Sequence, residues 1–181
     1  MQLDSPTDDN NPLPQSTLVC LQFIDEDTLD DLETLLRSDF KRRALLAQAF
    51  IHKSCHYALK NKVVIQSNEK LEHLGDKVVG LAVCAFMHMK YPDRNEHFYT
   101  QVMQRALSNE VLSMVGTAME LDRFLVTKLP NQVLSAKTTA DLVEAVAGAL
   151  FLDGGSEAVD RFLSQRLYPL VELIAAEKAG R

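Results

Sequence analysis

Residues 68–80 read NEKLEHLGDKVVG, and the placing of charged and apolar side chains in this stretch decides the fold. Glu72 and Asp76 are four apart, so on a helix both carboxylates leave the same face. Leu71, Leu74, Val78 and Leu81 form an apolar stripe beside them, and Val79 and Val83 continue the acid-bearing face as apolar residues. The spacing predicts a long helix whose acids stand at the edge of the core. Gly75 lies between the two acids. A glycine inside a helix costs about 1 kcal/mol relative to alanine. That cost is tolerated where another backbone or a ligand must come close.

Residues 140–155, ADLVEAVAGALFLDGG, answer the first stretch. Asp141 and Glu144 are three apart and share a face. The remainder is apolar nearly all round, which predicts a buried central helix. Ala145, Gly148 and Ala149 are small enough for a second helix to approach. Two acid pairs, each close to a glycine, point to crossing helices with four carboxylates converging. Like charges at that distance raise each other's pKa. A divalent cation removes the conflict, and hard oxygen ligands suit Mg²⁺, with Mn²⁺ as an acceptable substitute.

NEKLEHLGDKVV resembles the signature of the ribonuclease III family, and ADLVEAVAGALFLDGG resembles that family's second motif block. The segment 96–112 between them is similar to the family's intervening helix. The resemblance covers roughly residues 29–167, with both acid blocks intact and in order. It implies an all-α endonuclease-domain fold and a Mg²⁺-dependent endoribonuclease. Such an enzyme cuts double-stranded or hairpin RNA and leaves 5′-phosphates and short 3′ overhangs. By the same resemblance Glu72, Asp76, Asp141 and Glu144 are metal ligands, with Asp76 and Glu144 the catalytic pair. Glu69 and Glu96 match outer acids, and Lys137, one turn before Asp141, matches a lysine near the scissile phosphate. Asn68 matches the residue that caps the signature helix, where its amide would satisfy free N–H groups.

Family members act as two-fold dimers, so a homodimer is expected, or a heterodimer with another ribonuclease III chain. His73 stands where most homodimeric members place a phenylalanine that inserts into the partner. Met103 and His97 replace an arginine and a glycine usual in the intervening helix. After residue 167 too little chain remains for a double-stranded RNA-binding domain, so the likeness is to stand-alone members. The competing reading is a catalytically silent scaffold, or an RNA-binding subunit of a ribosome or heterodimer. Four crowded carboxylates argue against it, because a scaffold has no use for them.

The net charge of −6 is unevenly spread. Residues 1–40 carry ten acids and one base, whereas residues 41–181 carry fifteen acids and eighteen bases. The body is therefore mildly basic, which permits phosphate binding without proving it. An acidic arm, 1–26, precedes a catalytic domain, 27–181. The arm is polar and proline-rich over 1–17 and is expected to be partly flexible. It reads neither as a secretory signal nor as a transit peptide, and no run is long enough for a membrane span. Three cysteines without metal-like spacing suggest reduced thiols in an intracellular protein. The cytoplasm is the default, with nucleus and mitochondrion also compatible.

Helices are expected over 28–37, capped by Asp27 or Thr28, then over 40–54, 68–90, 96–106, 108–120, 135–153 and 156–167. Pro169 then allows a restart toward residue 179. The basic triplet Lys41, Arg42 and Arg43 reads as a solvated face or as a phosphate contact. His52, Cys55 and His56 supply too few ligands for zinc, and the segment 51–54, IHKS, resembles a helix end packed against the signature helix. No alternating strand pattern occurs.

Overall fold

A computed structural model describes residues 12–55, 65–128 and 134–180. Among these residues the fold is all-α. Eight helices occur: α1 (Gln15–Leu18), α2 (Glu26–Leu36), α3 (Arg43–Ala49), α4 (Glu69–Lys90), α5 (Glu96–Ala106), α6 (Asn109–Ala118), α7 (Ala136–Ser164) and α8 (Leu167–Ala179). One isolated parallel bridge joins Ile51 to Val126. Among the described residues no helix is long and apolar enough to cross a membrane. Residues 1–11 of the acidic arm, residues 56–64 (His56 among them), residues 129–133 and residue 181 lie outside the described residues.

The centre is α7. Leu142, Val143, Val146, Ala147 and Leu150 point in several directions and all are buried, as expected for a helix without a solvent face. Its main partner is α4, with α6 and α3 on other sides, while α5 packs on α8. α4 and α7 touch backbone to backbone. A β-carbon built on Gly75 would lie 1.7 Å from the Glu144 carbonyl oxygen, and one on Gly148 would lie 2.2 Å from that of Leu71. Only glycine permits this approach. The pairs Leu71/Gly148 and Gly75/Glu144 run the two helices in opposite senses past the crossing. The acids of both helices are thereby brought to one place.

Several expectations are corrected. α2 starts earlier than expected and is capped by Asp25, which accepts from the Thr28 N–H at 2.8 Å. Asp25 has the extended backbone a cap requires, whereas Asp27 and Thr28 are already helical. The helix expected over 40–54 is only seven residues long, followed by a 3-10 turn over Lys53–Cys55. The break expected between 135–153 and 156–167 is present: within α7, Gly155 takes the non-helical angles φ 68°, ψ −164°, and a second helical stretch runs on from this kink to Ser164.

Two members of the basic triplet, Arg42 and Arg43, are engaged within the fold, while the Lys41 side chain is exposed. Arg43 reaches Glu26 at 2.8 Å and Asp30 at 2.6 Å, and its Nε donates to Glu33 at 3.3 Å. Those acids hold its guanidinium pKa above the ordinary value, Glu33 contributing most. Asp153, buried, accepts from the N–H groups of Lys41 at 3.0 Å and Arg42 at 2.8 Å. Arg42 also donates to the Leu152 carbonyl. These contacts fasten α2 to α3 and the turn before α3 to the end of the central helix.

Val19, Cys20 and Ile24 belong to the core. Cys20, Cys55 and Cys84 are all free thiols, the first two buried and the third exposed.

Candidate metal centre

The α4–α7 crossing gathers three of the four expected carboxylates. Glu72 from α4 and Asp141 and Glu144 from α7 each offer an oxygen, and these oxygens lie within 4.8 Å of one another. All three side chains are half-buried. Burial comes first in raising the Glu144 carboxyl, to about 7, followed by the charges of Asp76, Asp141 and Glu72. Burial and then Asp141 also raise Glu72. Such a cluster is anionic and strained at neutral pH, and a cation relieves it.

Part of that relief comes from Lys137. One turn before Asp141, its Nζ donates to both Asp141 oxygens at 2.7 Å and stands 3.9 Å from Glu72. The Asp141 bond raises the lysine pKa above its ordinary value. Lys137 is itself largely exposed, so its ammonium can leave without disturbing the core.

Asp76 is placed differently. It lies one turn beyond Glu72, is exposed, and accepts from Lys77 at 2.6 Å. It is outside the group of three, yet it is the leading charged neighbour acting on Glu144. Glu69 opens α4, accepts from the Ser67 hydroxyl at 3.1 Å and faces Lys53 at 3.6 Å. Glu96 begins α5, exposed, and does not join the three. His73 is exposed on α4.

Asn68 corrects an expectation. It occupies the cap position of α4 but makes no side-chain cap bond. Its backbone is already helical (φ −70°, ψ −10°), so the amide cannot fold back onto the first free N–H groups.

Beside the carboxylates a narrow cleft of about 10 Å³ is lined by His52, Lys53, Asn68 and Thr138 together with Glu69, Glu72 and Asp141. Its volume is near that of a single water. His52 reaches this cleft because its Nδ1 is engaged by Ser54 at 2.9 Å. Burial, and then Lys53, lower its pKa. The sequence signal was the IHKS segment, which placed His52 against the signature helix without giving it a part in the cleft. Zinc at His52 and Cys55 finds no support among the described residues, since the Cys55 thiol donates to the Val126 carbonyl.

Three hard carboxylates without sulfur or nitrogen ligands fit Mg²⁺ or Mn²⁺. Residues 42–170 match the Ribonuclease-III-like family. The chain is 34% identical over 151 residues to ribonuclease 3 of Bdellovibrio bacteriovorus, covering 81% of this chain and 64% of that protein. It is 31% identical over 158 residues to ribonuclease 3 of Leptospira interrogans, covering 85% and 63%. The chain thus spans a little under two thirds of the length of these relatives. Among solved structures, the nuclease domain of ribonuclease III from Campylobacter jejuni superposes with a TM-score of 0.65 at 25% identity, over 77% of this chain and 94% of that domain. A chain matched over most of its length, with the same helical framework and acids gathered at the crossing of its two motif helices, belongs to the ribonuclease III family.

Proposed function

We propose that this protein is a divalent-metal-dependent endoribonuclease that hydrolyses double-stranded or hairpin RNA, leaving 5′-phosphates and short 3′ overhangs. The convergence of Glu72, Asp141 and Glu144 carries the reading. These three would hold one or two Mg²⁺ or Mn²⁺ ions. Asp76 would complete the set once its side chain turns from Lys77. An ion held there would supply Lewis-acid chemistry: activation of a water and stabilisation of the leaving 3′-oxygen in an in-line displacement. The chain's own task is to hold the carboxylates in place and ionised. Glu144 would release its proton to solvent as the site is loaded, since a cation offsets the burial and the neighbouring charges, Asp76 foremost, that raise its carboxyl. Lys137 turns from Asp141 to the phosphate, where its ammonium offsets negative charge. Glu69 and Glu96 act as outer acids. No side-chain nucleophile is required.

Cutting both strands needs two sites. Leu74, Val78, Leu81, Ala82, Ala85 and Phe151 line an open groove of about 630 Å³ on the outer side of α4. Leu81, the last residue of the apolar stripe beside the acids, is 57% exposed there. The solved Campylobacter jejuni domain is described by a region involved in dimer formation. We read the groove as the isologous interface of a homodimer, or of a heterodimer with a related chain, with His73 beside it as a contact residue. A-form RNA would then be gripped by shape and 2′-hydroxyls across two sites. An RNA substrate agrees with work inside the cell, with the cytoplasm as the default and nucleus and mitochondrion also compatible.

The test is incubation of end-labelled duplex RNA with Mg²⁺, repeated with chelator and with Glu144→Gln. The expected result is cleavage by the unaltered protein only, with 5′-phosphorylated products. Binding without cutting by both proteins would replace the nuclease with a scaffold.

A further inference from the structure

The first turn of α4 is not capped by Asn68, so something else must fix where the helix begins. The supports come from two directions. From α3 and the residues just after it come two bonds: the Ile51 carbonyl accepts from the Asn68 N–H at 2.8 Å. Gln48 Nε2 donates to the Ser67 carbonyl at 3.1 Å. From the N-terminal segment, the Ser16 carbonyl accepts from the Gln66 N–H at 3.3 Å. The Cys20 thiol donates to the Gln66 carbonyl at 3.4 Å. Burial keeps that thiol protonated, so it remains a donor.

One side chain joins the two directions. Thr17 Oγ1 donates to Gln48 Oε1 at 3.2 Å, so the Gln48 amide bridges α1 to the peptide before α4. Thr17 and Gln48 are both 4% exposed. A buried amide among Leu, Ala and Phe side chains carries a desolvation cost of about 1–3 kcal/mol wherever a bond is left unmade. Apolar packing would fill the same space but would tolerate sliding. Paired hydrogen bonds fix one distance and one direction. The fixed point matters because the Asn68 carbonyl accepts from the Glu72 N–H at 2.8 Å. A displacement of residues 66–68 is passed, one turn later, to a carboxylate of the cluster.

We propose that Gln48, oriented by Thr17 of the N-terminal segment, is a positioning residue for the metal-binding carboxylates: the Thr17–Gln48–Ser67 relay sets the start of α4, and so the place of Glu72 relative to Asp141 and Glu144. The proposal rests on the metal-nuclease reading above. It makes residues 12–24 a working part of the catalytic body, although the sequence there reads as an arm.

Full-length protein is compared with Thr17→Val, Thr17→Ser and Gln48→Met. Thermal midpoint, Mn²⁺ affinity by direct titration, and kcat and KM on duplex RNA are measured well below each midpoint. Thr17→Val and Gln48→Met are expected to lower kcat roughly tenfold and to weaken Mn²⁺ binding severalfold, with KM for RNA unmoved. Thr17→Ser keeps the hydroxyl and recovers most of the loss. Variants that lose thermal stability but keep wild-type kcat and Mn²⁺ affinity overturn the proposal. If Gln48→Met does not fold, the two Thr17 variants decide. If the unaltered protein neither binds Mn²⁺ nor cuts, the nuclease reading fails. If it does both and the variants match it, only the relay fails.

Discussion

Gly75→Ala tests the crossing that the whole site depends on. The new β-carbon would stand 1.7 Å from the Glu144 carbonyl oxygen. Carbon–oxygen contacts of this kind close to about 3.3 Å, so the helices must part by roughly 1.5 Å. The atom in the way is backbone, and no rotamer relieves it. Overpacking at the upper end of its usual range costs about 3 kcal/mol. Alanine's better helix propensity returns about 1 kcal/mol, leaving about 2 kcal/mol of destabilisation. For a chain of this size that is a fall of roughly 4–8 °C in thermal midpoint. Activity suffers more. An ångström of misplacement between catalytic groups costs about a hundredfold in rate, and here the parting acts directly between Glu72 and Glu144. The assay is single-turnover cleavage of a short RNA duplex at 20 °C, beside calorimetry. A Gly75→Ala protein that melts higher than wild type and cuts at the wild-type rate would refute the reasoning.

Stability of the metal-free protein carries the signature of Glu144. Its carboxyl is raised from 4.5 to about 7 in the fold. Between those values the folded state keeps a proton that the unfolded state has lost, so this group's contribution to stability falls as pH rises through that window. In a site half open to screening water the loss is about 1–2 kcal/mol. Mg²⁺ should therefore raise the thermal midpoint much more at pH 8 than at pH 5, and a pH-independent rise would contradict this. Leu81→Asp should leave a folded monomer by light scattering. It buries a charge in each half of the interface and forfeits about 1.5–3 kcal/mol of apolar burial per chain. A wild-type dimer would exclude the groove as the interface. Lys137→Gln removes the ammonium that competes for Asp141, so Mn²⁺ binding should tighten severalfold while cleavage slows; weaker Mn²⁺ binding would show that Lys137 supports the ion instead.

The acids at the crossing were legible because helical spacing and small residues are local signals. Glu72, Asp141, Gly75 and Gly148 are each fixed by neighbours within two turns. Lys137 and Asp141 show the same four-residue logic, and their ion pair follows from it. What sequence could not give are choices between partners distant along the chain. Leu81 belongs to an apolar stripe, but whether that stripe faces the core or the groove depends on where α7 crosses. Arg42 and Arg43 look like a basic patch until Asp153 and the acids of α2 come to them in space. Asn68 holds the cap position, yet its helical backbone angles deny it the cap bond, and its N–H is taken up by the distant Ile51 carbonyl. The Thr17–Gln48–Ser67 relay joins residues 31 and 19 positions apart. No periodicity announces such contacts.

The most direct measurement is a crystal structure of the protein grown with Mn²⁺, read by anomalous scattering. We expect a peak between the carboxylates of Glu72, Asp141 and Glu144, with metal–oxygen distances of about 2.0–2.2 Å, and Lys137 displaced from Asp141. A map in which Lys137 still grips Asp141 and the peak is missing at saturating Mn²⁺ would contradict the account.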